Sequence, residues 1–153
     1  MRFVFGKQDL ADSARRAEHC FLLTNGLGGF CSQTLTGGAA RNDHALLMAC
    51  TRAPNVRWNI VHRVEEELTR NGAATHLSTQ TFAKGSPEEG WQNLCFAQVD
   101  GLPRWVYQWQ GVQVEKELAM DWEQNTVALR YQLENPGDTP CTLTVTPWLQ
   151  FVP

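Results

Sequence analysis

Three groups of residues in this chain are of types that can do chemistry or hold a ligand. His44 stands next to Asp43 and close to Arg41; a histidine shuttles protons near neutral pH, and an arginine clamps oxygen-rich ligands. Glu65, Glu66 and Glu67 are consecutive, and acid/base hydrolysis requires a pair of carboxyl groups flanking the bond to be cleaved. Trp105, Tyr107 and Trp109 alternate; aromatic faces stack on the C–H faces of sugar rings, and Trp and Tyr add a polar edge for hydroxyls.

The backbone decides which of these groups can meet. On a regular strand, successive side chains point to opposite faces. Arg41 and Asp43 then share one face and His44 takes the other, which favours a structural, hydrogen-bonding His44 over a ligand-binding one. Glu65 and Glu67 likewise share a face that Glu66 leaves, and the run reads as a solvated strand edge whose charges block unwanted pairing. The three aromatic rings fall on one face, where a buried core or a domain interface outweighs a sugar platform, because large aromatics are usually well buried. Trp91, Trp122 and Trp148 lack such a pattern and are expected to serve packing. His19, His44, His62 and His76 have no zinc-type spacing, and no metal or cofactor is expected.

The elements that position these groups are strands. The stretch from Phe21 to Phe30 carries Gly26, Gly28 and Gly29 beside Asn25. A phosphate loop would need a helix to open directly behind it, but the Thr-bearing residues Phe30 to Thr36 alternate like a strand. The glycines therefore supply positive φ in a tight connection, or let another backbone come close. Asp9 to Glu18 is the one helical segment, with Leu10, Ala14 and Ala17 roughly on one face. Asn71-Gly72 predicts a hairpin between strands Val56 to Leu68 and Thr75 to Phe82. Gly111 separates strands Arg104 to Gln110 and Val112 to Met120, and two more follow at Thr126 to Glu134 and Cys141 to Phe151 around the turn formers Asn135 to Pro140. Many strands, short turns and one short N-terminal helix predict an all-β fold, an antiparallel sandwich.

Composition removes several function classes. The chain has 153 residues, enough for one domain that buries about 68–70% of its unfolded surface. A net charge of −3 without a clustered basic surface argues against nucleic acid and anionic membranes as partners. The longest apolar run, Ala45 to Cys50, is far shorter than the roughly 20 residues that cross a bilayer. Five cysteines without C-x-x-C spacing, behind an N-terminus (Met1 to Lys7) that is no export signal, predict reduced thiols in the cytoplasm. The segment Pro147 to Pro153 is apolar to its last residue, as though the chain continues beyond it.

From about Cys20 to Pro153, the sequence resembles the N-terminal domain of the prokaryotic glycogen-debranching, amylo-α-1,6-glucosidase family. The turn from Thr24 to Phe30 is similar to the strongest motif of that family, and Arg41 and His44 fall where it carries an Arg and a His ahead of a Leu-Leu pair. Glu66, Asn71-Gly72 and Leu77-Ser78-Thr79 resemble its next hairpin. Leu94 with Phe96, Pro103 with Trp105 and Tyr107, Glu115-Lys116 with Met120, Asn125 with Val127, and Pro147 continue the pattern in order. Departures occur at Cys20-Phe21, where the family usually has Glu-Trp, and at Arg41-Asn42-Asp43-His44-Ala45, where it usually has Arg-Arg-Tyr-His-Gly. The second departure removes an Arg and a Tyr that could hydrogen-bond and stack on a sugar.

The resemblance implies a sandwich of the supersandwich, galactose mutarotase-like type, ahead of an α/α-toroid catalytic domain in the same polypeptide that holds the hydrolytic carboxylates. The resulting expectation is a noncatalytic domain spanning residues 1–153 that braces the toroid and contacts α-glucan. Its candidate substrate-binding residues are Asn25, Arg41, His44, Trp105, Tyr107 and Trp109, with none catalytic. Two alternatives stand beside it: a stand-alone glucan-binding module driven by Trp105 and Trp109, and a mutarotase-like sugar epimerase with His44 as proton carrier.

Overall fold

Turn chemistry sets the strand boundaries. Asn71 and Gly72 both take positive φ, 52° and 78°, the condition for a two-residue hairpin turn that matches strand twist; Gln110 and Gly111 do the same at 47° and 78°. The computed structural model describes residues 3–153; Met1 and Arg2, which open the stretch read as no export signal, lie outside the described residues. The strands run β1 (Val4–Gly6), β2 (Cys20–Thr24), β3 (Phe30–Thr34), β4 (Ala45–Arg52), β5 (Val56–Arg70), β6 (Ala73–His76), β7 (Thr79–Gln80), β8 (Glu88–Glu89), β9 (Leu94–Gln98), β10 (Arg104–Trp109), β11 (Val112–Met120), β12 (Val127–Glu134) and β13 (Cys141–Val152).

Two antiparallel sheets make the sandwich, one ordered β1-β9-β10-β11-β12 and the other β13-β5-β4-β3-β2, with β6 also paired to β5. A two-stranded ribbon, β7 with β8, stands apart. Between the sheets lie Phe21, Cys31, Leu35, Leu46, Val64 and Leu68 from one side and Ala97, Trp105, Tyr107, Val112, Val114 and Leu118 from the other. Apart from Leu35, which follows β3, these sit at alternating inward positions of their strands, as period two requires. Burial pushes the Cys31 thiol up to about 12, which keeps it an inert, protonated core group. All five cysteines are free, and among the described residues no helix is long and apolar enough to cross a membrane.

Three local expectations change. The helical segment splits: a 3-10 turn covers Lys7–Leu10, and the helix α1 spans only Ser13–Glu18. Asp12 is the reason, since its carboxylate accepts from the backbone N–H of Ala14 (2.8 Å) and Arg15 (3.3 Å) and so caps a new helix start. The second strand of the Asn71-Gly72 hairpin stops at His76. Leu77 then turns inward to full burial, its N–H donating to the Glu66 carbonyl (2.9 Å), and Thr79–Gln80 pairs with Glu88–Glu89 instead. The Glu65–Glu67 run is not at a strand edge, because β5 is flanked by β13 on one side and by β4 and β6 on the other. Its alternation holds, with Glu66 turned into the core.

Candidate functional site

The glycine loop joins β2 to β3, which pair from Cys20↔Thr34 to Thr24↔Phe30. Gly26 (φ 79°) and Gly28 (φ 93°) occupy left-handed backbone, and a Cβ on Gly28 would lie 2.6 Å from the Pro54 carbonyl oxygen. Both sequence expectations for these glycines are therefore met at Gly28. Asn25 is fully buried (0% exposed). Its Oδ1 accepts from the N–H groups of Leu27 and Gly29, both at 3.0 Å, while its Nδ2 donates to the Gln124 carbonyl (2.9 Å) and Asn125 Oδ1 (3.1 Å). Asn125 in turn grips the Cys50 backbone, accepting from its N–H (3.1 Å) and donating to its carbonyl (2.9 Å). The two asparagines thus lock the loop and β4 to the turn that precedes β12, joining the two sheets.

Arg41, Asp43 and His44 lie on a turn, not a strand: the His44 N–H donates to the Arg41 carbonyl (3.1 Å), and β4 begins only at Ala45. Arg41 and Asp43 are exposed, whereas His44 is buried. Its Nδ1 accepts from the Ala40 N–H (2.9 Å), so the neutral ring carries its proton on Nε2. Burial holds the His44 pKa below its ordinary value, against the smaller upward pull of Asp43. The unfolded chain therefore takes up more protons as pH falls below about 6.5, and stability present above that value is lost down to the folded-state pKa. Urea midpoints at about pH 7.5 and about pH 5.5 should show a fall that is smaller in His44→Gln. An equal fall in both would refute this account of His44.

The aromatic trio divides. Trp105 and Tyr107 are 1% and 2% exposed, while Trp109 is half-buried at the rim of an open hollow with Gln108, Gln113 and Glu134. Trp105 donates from Nε1 to the Leu35 carbonyl (2.5 Å) and meets Phe21 edge-on, with ring centroids 5.7 Å apart. Lys116 Nζ lies 4.9 Å from the Trp105 ring centroid and 2.9 Å from Glu66 Oε2. Tyr131 donates to the same Glu66 oxygen. Burial, then the Glu66 charge, pushes the Tyr107 and Tyr131 phenols well up, so both stay protonated donors.

The other buried acid, Glu88, receives a fork from Arg63 (3.0 and 2.5 Å) and a hydrogen bond from Ser78 (2.5 Å). Glu65 and Glu67 are half-buried on the opposite face of β5 from Glu66, with His76 Nε2 at 3.1 and 3.8 Å from their oxygens. A groove beside the glycine loop is lined by Leu22, Thr24, Phe30, Ser32, Asp43 and Arg57, and Arg57 Nε donates to the Gly28 carbonyl (2.5 Å).

Of the six residues singled out in the sequence, Asn25, His44, Trp105 and Tyr107 are buried, and Arg41 and Trp109 meet solvent. The structure does not bring the six together at one place. Asn125, Lys116 and Tyr131 are not among the candidate groups of the sequence, and Glu66 enters there only as part of a strand edge. Three of these four stand among the landmark residues of the sequence; a polar residue at an inward strand position is the signal for Glu66, Lys116 and Tyr131, whereas Asn125 lies in the turn before β12 and carries no such signal. Trp122 and Trp148, expected to be packing residues, are 64% and 48% exposed.

No curated protein and no solved structure matches this chain. Residues 19–153 match the family described as glycogen debranching enzyme N terminal, a span that includes the glycine loop, the Asn25–Asn125 lock and the Glu66–Lys116 pair. The chain therefore belongs to the glycogen debranching enzyme N-terminal family.

Proposed function

We propose that this chain is the noncatalytic N-terminal domain of a glycogen-debranching-type α-1,6-glucosidase, a single sandwich over residues 1–153 that braces an α/α-toroid catalytic domain of the same polypeptide and contacts its glucan. The observation that carries this is how the polar groups are used. Both buried carboxylates are held by cations, Glu66 by Lys116 and Glu88 by Arg63, and Asn25 and Asn125 are spent tying loop to strand. Such pairing suits a rigid support, whereas an acid/base pair needs an open position between its members for substrate. Exposed Leu22, Leu27, Trp58, Trp122, Leu149 and Phe151 supply apolar surface for a neighbouring domain. Free thiols suit a reducing cytoplasm.

Incubated with a limit dextrin, this chain should release no glucose above the uncatalysed background. Glucose release that scales with protein concentration would overturn the noncatalytic assignment.

A further inference from the structure

The outer face of β5 carries a constellation that none of the above assigns. Arg63, Glu65 and Glu67 alternate along it, Trp148 of β13 stands directly opposite Arg63, and His76 of β6 directly opposite Glu67. The Arg63 guanidinium lies 5.5 Å from the Trp148 ring centroid and 5.6 Å from that of Phe82. Arg63 is itself buried and forked onto Glu88, so it is a fixed plate under the indole. Trp148 remains half exposed, and its Nε1 reaches Glu65 Oε2 at 3.4 Å. A large aromatic held in place from below, open above and edged by the Glu65 carboxylate, with His76 and Glu67 continuing the polar row beyond it, has its ordering cost met before any ligand arrives.

We propose that Trp148, with Glu65 at its edge and His76 and Glu67 next in line, is a subsite for one or two glucose units of an α-glucan, an inference that rests on the glucan contact proposed above. The C–H face of a glucose ring stacks on the indole, while vicinal hydroxyls donate to the carboxylate oxygens, which are strong acceptors. A neutral polyol fits because it brings several donors and adds no charge to desolvate. One indole and three polar groups are the footprint of a sugar, far short of the roughly 1,000 Å² a protein partner needs.

The test titrates the chain with maltoheptaose, following tryptophan fluorescence and two-dimensional NMR, in wild type, Trp148→Ala, Glu67→Gln and Trp122→Ala. The expected result is a saturable response that weakens about tenfold or more in Trp148→Ala and is reduced in Glu67→Gln, a half-buried, nearly isosteric change that leaves the fold intact. Trp122→Ala, which removes a more exposed indole elsewhere, should bind like wild type. Undiminished binding by both Trp148→Ala and Glu67→Gln overturns this subsite while leaving glucan contact standing. No saturable response in any variant overturns the glucan contact as well. A response to ZnCl₂ with none to maltoheptaose assigns Glu65, Glu67 and His76 to a cation and also overturns the proposal.

Discussion

Replacing Lys116 with Met should destabilise the chain by about 3–5 kcal/mol in urea unfolding at neutral pH, the cost of leaving one partner of a buried ion pair uncompensated. The side chains of Lys116 and Glu66 are 4% and 1% exposed and lie 2.9 Å apart. One comes from β11 of the first sheet and the other from β5 of the second, so the pair bridges the sandwich. Lys116 stands opposite Trp105 across the strands, and Met retains most of its stem, so the loss falls on the charge, its bond to Glu66 and its place over the Trp105 ring. Lys116→Met combined with Glu66→Gln should recover part of that loss, because the amide can still accept from Tyr131 without carrying an unpaired charge. A Lys116→Met variant within about 1 kcal/mol of wild type would show that the pair does not hold the sheets together.

How much of this was legible in the sequence depends on how far apart the partners lie. The hairpin at Asn71-Gly72, the break at Gly111 and the alternation of β10 to β12 are local rules, and the structure follows them. Gly28 was readable too, since a tight turn and a close backbone approach both call for glycine. The Glu65–Glu67 run reads as an edge because nothing local says that a strand pairs on both sides or that Glu66 has a cation waiting on β11. The same distance hides the Asn25–Asn125 lock, whose members are a hundred positions apart. The sequence reads His44 on a strand with Arg41 and Asp43, yet the turn in which the His44 N–H donates to the Arg41 carbonyl comes first and β4 begins only at Ala45. Tertiary context overrides local pattern at these places, and they are where the polar groups of the domain gather.

Substituting Ala for Gly90 tests the outer face in the same way. Gly90 is buried where the β7–β8 ribbon returns toward β5, its N–H donating to the Ser78 carbonyl (2.9 Å). An added Cβ would lie 1.8 Å from the Leu77 carbonyl oxygen and 2.0 Å from its carbon, backbone atoms that no rotamer change can clear. Leu77 cannot retreat either, because its side chain is fully buried and its N–H is bonded to Glu66. The displacement therefore falls on β8, which carries Glu88 against Arg63, and through Arg63 on the support beneath Trp148. We expect a loss of about 3 kcal/mol, at the upper end of overpacking costs, together with altered Trp148 fluorescence in the folded baseline. Glu88→Gln, which weakens the Arg63 fork without adding bulk, should alter that baseline in the same direction. Gly90→Ala with wild-type stability and an unchanged spectrum would mean that the ribbon can shift freely, and the rigid plate under the indole would then have no mechanical basis.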